Sequence, residues 1–301
     1  MTAVRCGVMI LPEQNWSESA AIWRQADELG FDSAWTYDHL WWDPLATQPW
    51  FSAFPVLAAA ACVTTRIGLG TLVTSPNFRH PVVTAKEVIT LDDISGGRFT
   101  LGIGAGAEGS GDAKVLGGEA LSGKQRSDRF AEFVDMVDQL LRNEVSTIRG
   151  EFYSALGARM TPSCCRRPRV RFAVAATGPR GLEVAARHGD AWVTLGPPKL
   201  ADGYSPDDIV AIVSAQVKKL RETCSREGRS DADLRRIYVA TDLTGNLMAS
   251  PQAFLRTAQQ YAHAGITDLV VHWPRPAGLY AGDPAVMAPI AEWALPRVAQ
   301  L

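Results

Sequence analysis

Short apolar runs alternate with longer stretches of helical periodicity along the whole chain. The runs Cys6–Leu11, Ser33–Tyr37, Ile67–Val73, Phe99–Ile103, Val170–Ala176, Ala191–Leu195, Ile237–Thr241 and Asp268–His272 have the length of buried strands. Ser17–Leu29, Phe51–Val63, Val82–Ile94, Arg126–Asn143, Arg180–His188, Pro206–Glu227, Pro251–Ala264 and Pro284–Ala299 are spaced as helices. Ser17 and Glu18 open the first helix and Gly30 closes it, and Pro206, Pro251 and Pro284 suit opening turns. Continuous alternation forces right-handed crossovers and a parallel sheet. Eight strands and eight helices therefore predict an α/β fold, a closed (β/α)8 TIM barrel forming one domain over residues 1–301. An open dinucleotide fold needs a Gly-rich fingerprint near the N-terminus. Gly102-Ile103-Gly104-Ala105-Gly106 follows the fourth strand instead and has no acidic ribose ligand at the expected distance. Residues 143–169 are too long for a plain loop and read as an irregular insertion across one end of the barrel.

Composition narrows the class of partner. A net charge of −2 gives no electrostatic reason to expect nucleic acid or an anionic membrane. The basic run Arg166-Arg167-Pro168-Arg169-Val170-Arg171 is either a solvated loop or a landing site for an anionic ligand. Cys6 and Cys62 lie in apolar runs and read as core, while Cys164-Cys165 are adjacent and lack metal-site spacing. A reducing compartment without a zinc site is expected. With no apolar window of membrane length and no signal-peptide pattern in Met1–Leu11, the expected location is the cytoplasm.

Residues Phe172–Val193 carry the strongest local signal for chemistry. Phe172–Ala176 reads as a strand, Thr177-Gly178-Pro179 forces a turn, and Arg180–His188 reads as a helix. First-turn amides have no intrahelical acceptor, and the helix dipole adds positive potential. Ala175, Ala176 and Gly178 allow close approach, and Arg180 adds a fixed charge. The segment reads as a phosphate cradle made mostly of backbone, although an ordinary glycine-containing loop has the same local pattern. Other strands deliver Tyr37-Asp38-His39-Leu40-Trp41-Trp42-Asp43, Val73–His80, Gly104–Glu108 and His272-Trp273-Pro274-Arg275 to the same rim. Such a rim suits a large, flat, phosphorylated aromatic ligand.

Five blocks in order then point to a family. They are Ala26–Trp35 (ADELGFDSAW), Tyr37-Asp38-His39, Arg66–Val73 with Pro76 and Arg79-His80-Pro81, Leu91–Gly106 (LDDISGGRFTLGIGAG) and Ala175–Trp192 (AATGPRGLEVAARHGDAW). Through them the chain resembles the bacterial luciferase-like family, in its branch using the deazaflavin coenzyme F420. The last hundred residues match only in layout. The resemblance implies a flavin-type ring in the barrel mouth, with its phosphate on Thr177, Gly178, Pro179 and Arg180 above Ala175 and Ala176. It implies that Gly104 and Gly106 let the ribityl chain lie close to backbone. Thr71-Leu72-Val73 matches a bulge with a non-prolyl cis peptide behind the ring, placing Leu72, Val73 and Ser75 at the cofactor. Asp38 and His39 would sit near the reactive carbon, with His39 managing a proton and Asp38 touching the ring hydroxyl or orienting His39.

Trp41 and Trp42, with Trp50 and Phe51 following, read either as substrate-pocket walls or as core and dimer contacts. Glu108 falls where some relatives place a proton donor, and otherwise reads as a solvated carboxylate. His272 is a pocket candidate, whereas His80, His188 and His263 read as structural. The leading expectation is an oxidoreductase moving a hydride between F420 and a small organic substrate. The alternatives are an FMN-dependent monooxygenase using reduced flavin and O2, and a barrel that binds a ligand without catalysis. A metal-dependent hydrolase is disfavoured, since the strand ends lack an adequate ligand cluster. The resemblance also implies a homodimer burying apolar faces of Phe51–Val63 and Val82–Ile94.

Overall fold

The chain's strands are β1 (Arg5–Met9), β2 (Ser33–Thr36), β3 (Gly68–Thr71), β4 (Phe99–Gly104), β5 (Val145–Arg149), β6 (Ser154–Arg159), β7 (Arg171–Ala175), β8 (Ala191–Thr194), β9 (Arg235–Val239) and β10 (Asp268–His272). The computed structural model describes residues 3–107, 109–117, 120–197, 203–241 and 247–301. Eight of these strands close a barrel in the order β1-β10-β9-β8-β7-β4-β3-β2, and each ladder is parallel. Helices α1 (Trp16–Glu28), α2 (Ala53–Val63), α3 (Pro81–Ile94), α4 (Gly111–Lys114), α5 (Gly123–Arg142), α6 (Pro179–His188), α7 (Pro206–Arg226) and α8 (Pro251–His263) follow their strands. The predicted (β/α)8 barrel is what forms.

Two apolar layers hold it. Between strands and helices, Trp23, Phe31, Phe99, Phe133, Trp192 and Phe254 are almost wholly buried. Inside the barrel, Met9, Trp35, Leu72, Val193, Ile237 and Val270 form a separate cluster. Trp35 fits there because the flanking strands present glycine: a side chain on Gly70 would strike its indole, and one on Gly7 would strike Ser33 Oγ and crowd the indole nitrogen.

Element ends differ from expectation for local reasons. α5 starts at Gly123 rather than Arg126 because Ser122 and Gln125 cap it reciprocally. The expected single helix Pro284–Ala299 is instead α9 (Met287–Pro289), a π-helical turn (Ile290–Ala294) and α10 (Leu295–Val298). Pro296 has no N–H to give the Glu292 carbonyl, so the backbone widens just before it. Residues 143–169 are not an irregular cover over a barrel end. β5 and β6 form an antiparallel hairpin along α5, where Glu132 accepts bonds from the amides of Glu151, Phe152 and Tyr153.

The basic run is likewise corrected. It leads into the N-terminal end of β7, opposite the rim, and cannot receive a rim ligand. Arg169 is buried, bonded to Asp138 (2.5 Å), Asp190 (2.9 Å) and the His188 carbonyl (2.7 Å), and stacked on Phe172. Cys62, expected in the core, is exposed because α2 is apolar on its outer face as well; Cys6 is buried. His80 caps α3, His188 pairs with Asp135, and the His263 ring bonds the Gln259 carbonyl, all structural roles.

Candidate active site

At the C-terminal end of β7, Ala175 and Ala176 lead into Thr177 and Gly178, and Pro179 occupies the first position of α6. Gly178 is the N-cap, so no side chain satisfies the first-turn amides, and that turn carries no acidic residue. Space above Gly178 is open, and Thr177 to Arg180 are exposed. The Trp192 indole N–H donates to the Ala176 carbonyl (2.7 Å), fixing the turn. Gly181, not singled out from sequence, lets the helix close on Ala176, whose Cβ a side chain there would strike. The Arg180 guanidinium lies 2.8 Å from Asp128, half exposed and able to swing to an anion.

Beyond β3 the chain makes the expected bulge, and the Leu72–Val73 peptide bond is cis. Pairing resumes at Thr74, whose amide donates to the Gly102 carbonyl and whose carbonyl accepts from the Gly104 amide. The Thr71 hydroxyl donates to the Gly102 carbonyl (2.9 Å) and accepts from Thr74 (3.0 Å), bracketing the bulge. Leu72 is buried, Val73 half-buried and Ser75 buried beside them. Protein contacts by themselves require glycine at positions 104 and 106. A side chain on Gly104 would collide with Val73, and Gly106, at φ +77°, packs against Asn77.

Successive residues after β2 point to opposite sides. Tyr37 joins the inner cluster, whereas Asp38 turns outward and receives a bidentate bond from Arg79 (2.7 and 3.1 Å). Arg79 also bonds Glu87 (2.9 Å), whose carboxyl is pushed up by burial. Asp38 thus pairs with Arg79, and it is not the partner of His39 Nδ1. That partner is Asp112 of α4. Its carboxylate lies 2.5 Å from His39 Nδ1 and accepts the Leu40 amide at 2.7 Å. Asp112 is buried, while the His39 side chain is 27% exposed. Asp112 is one of three carboxylates in the Gly-rich stretch 104–124, and no spacing set it apart from Glu108 and Glu119.

Trp42 and Trp50 pack together (5.9 Å between ring centroids), and Trp42 sits edge-on to Tyr37. Trp41 departs from them and rests on Gly111, where a side chain would overlap its indole. Glu108 lies outside the described residues. His272 is buried between Tyr37, whose hydroxyl meets Nε2 at 2.8 Å, and the Ala240 carbonyl, 3.1 Å from Nδ1. The carbonyl can only accept, so Nδ1 carries the proton and Nε2 accepts from Tyr37. Burial pulls His272 down to about 3 and pushes Tyr37 well above the usual phenol range. Tyr280, which no spacing flagged, stacks on His272 at 3.5 Å. Its segment is held by Arg275, which bonds Glu13 twice (2.5 and 2.6 Å) and the Leu279 carbonyl. Among the described residues, no group of three or more His, Cys, Asp or Glu converges as metal ligands.

The rim so described has counterparts. A family model described as luciferase-like monooxygenase matches residues 1–270. An F420-dependent glucose-6-phosphate dehydrogenase from Beutenbergia cavernae is 32% identical, the match covering 91% of this chain and 90% of that one. A 5,10-methylenetetrahydromethanopterin reductase from Methanopyrus kandleri is 27% identical over 76% of this chain and 63% of its own length. Among solved structures, the coenzyme F420 dependent tetrahydromethanopterin reductase from Methanopyrus kandleri superposes with a TM-score of 0.78 at 18% identity, covering 99% of this chain and 100% of that one. An F420-dependent secondary alcohol dehydrogenase in complex with an F420-acetone adduct gives 0.81 at 17% identity, covering 99% of each. At these identities the structural likeness shows the fold.

Proposed function

The chain belongs to the luciferase-like monooxygenase family, and from that premise we propose that it is an oxidoreductase moving a hydride between coenzyme F420 and a small organic substrate. One observation carries the reading: at the same end of the barrel as the Leu72–Val73 bulge, His39 is fixed through Nδ1 by a buried carboxylate while its side chain stays partly exposed. The residues present fit the coenzyme. The uncapped first turn of α6, open above Gly178 and free of acidic side chains, would hold its phosphate, with Arg180 joining from the side. Leu72, Val73 and Ser75 would back the ring, and Ala175 and Ala176 would lie beneath the phosphate end.

When bound, the deazaflavin supplies a carbon centre that exchanges hydride in two-electron steps. The protein manages the accompanying proton. Asp112 keeps the His39 proton on Nδ1, so neutral Nε2 can accept a proton from a substrate hydroxyl. In the reverse direction, the imidazolium donates from Nε2 while Asp112 balances its charge. Trp42 and Trp50 shield that exchange from bulk water.

Titrating purified protein with F420 and with FMN, by fluorescence and absorbance, tests the cofactor. F420 is expected to bind tightly and FMN at least tenfold more weakly; the opposite order would move the protein to the flavin monooxygenases. His39→Ala is expected to lower turnover about 10²–10⁴-fold with F420 affinity retained, and unchanged turnover would sink the role of His39.

The same reading includes a homodimer, supported by the exposed apolar side chains Val83 and Ile94 on α3. Light scattering at micromolar concentration checks it: a mass of one chain excludes it. Five free cysteines support a cytoplasmic setting, and no described helix is long and apolar enough to cross a membrane.

A further inference from the structure

A cavity of about 530 Å³ opens between the ends of β9 and β10 and the 274–286 segment. That volume lies within the range of small-molecule sites. Much of its wall is aliphatic (Leu247, Met248, Val271, Val286), with His272 and Tyr280 bordering the barrel axis and Asp283 at the lip. In the closed strand order β9 stands opposite β3, and β10 opposite β4. The cavity therefore lies across the mouth from the Leu72–Val73 bulge.

The charges around it are informative. Among the described residues, no lysine or arginine lines the cavity, and Asp283 is the one side chain there that ionises at neutral pH. His272 stays neutral through burial, with Nε2 on the Tyr37 hydroxyl, Nδ1 on the Ala240 carbonyl and one face under Tyr280. Arg275, the nearest cation along the segment, is engaged by Glu13 and by the Ala277 and Leu279 carbonyls. Among the described lining residues a phosphate dianion would find no cation and would meet the Asp283 carboxylate. An alkyl or alicyclic body would instead fill the cavity, with its one oxygen left for His39, since both His272 nitrogens are already bonded.

We propose that this cavity is the substrate pocket and that it takes a neutral, largely apolar molecule bearing one carbonyl or hydroxyl group, not a sugar phosphate. The proposal deepens the oxidoreductase reading above and rests on it. It sets this chain apart in substrate class from the glucose-6-phosphate dehydrogenase it resembles.

The test is direct binding to the full-length protein, with and without F420. Menthone, menthol and cyclohexanone serve as probes and glucose 6-phosphate as the control, read by calorimetry and saturation-transfer NMR. The expected result is binding of at least one neutral probe, weakened tenfold or more by Ala285→Trp. Ala249→Trp, at a second exposed position of the wall, gives the same reading if the first variant fails to fold. The F420 titration is expected to be unchanged in both. Three results would overturn the proposal: no neutral probe binds, probe binding ignores both substitutions, or glucose 6-phosphate competes with the probe. A blank F420 titration would instead strike the cofactor reading, and the probe titrations would still judge the cavity.

Discussion

A histidine moves a proton in one direction at a time only when its other ring nitrogen is committed, and here Asp112 supplies that commitment at 2.5 Å. Asp112→Asn removes the charge and the preference for the Nδ1–H tautomer while keeping size. Turnover is expected to fall about 10²-fold or more, with F420 affinity within threefold of the parent. Steady-state kinetics alongside a fluorescence titration separate this from misfolding, which would damage both. His272 yields a second prediction, about stability. Its folded value of about 3 lies below the ordinary 6.5, so between those values the unfolded chain takes up a proton that the folded protein refuses. Stability is therefore fully present above pH 6.5 and falls as the pH drops towards 3. Urea midpoints at pH 7, 5.5 and 4.5 should show that slope, and His272→Gln should flatten it. An identical slope in the variant would assign the acid sensitivity elsewhere.

At the scale of elements, two short segments shape the mouth, and each makes a separable prediction. The uncapped start of α6 is a poor helix end and a good anion site for the same reason, its unmet amides. Gly178→Asp places an acceptor on those amides. Stability is expected to hold or rise by a few tenths of a kcal/mol, while F420 affinity drops at least tenfold through repulsion of the phosphate. If affinity and stability instead move together, the phosphate sits elsewhere. The β3 bulge depends on Gly102, where a Cβ would run into the Thr71 carbonyl oxygen. Gly102→Ala is expected to destabilise by about 3 kcal/mol or more, seen in the urea midpoint, because backbone on both strands must move. A neutral result would show that the bulge tolerates displacement.

For the molecule as a whole, the mouth is closed on one side by a link between the two ends of the chain. Glu13, just after β1, and Arg275, just after β10, are nine-tenths buried and joined by two short bonds. Their strands are already neighbours, with Arg5 to Met9 in register with Asp268 to His272. The pair holds the segment that carries Tyr280 over His272. Glu13→Ala strands a buried cation and is expected to cost roughly 3–5 kcal/mol. Amide exchange across 275–282 should accelerate more than in α1, the helix that follows Glu13; equal acceleration would mean general loosening.

The barrel and the turn from β7 into α6 were legible in the sequence because each is encoded by neighbours. Strand and helix periods and a Thr-Gly-Pro turn act over a few residues, and no distant partner is needed to read them. The partners of the site residues were not legible. Asp112 reaches His39 across 73 positions and His272 reaches Tyr37 across 235, distances that carry no local pattern. Nor could the sequence say which of Tyr37, Asp38 and His39 faces the axis, since one step of strand register reverses all three. Barrel closure settled that choice, sending Asp38 to Arg79 and leaving His39 to Asp112.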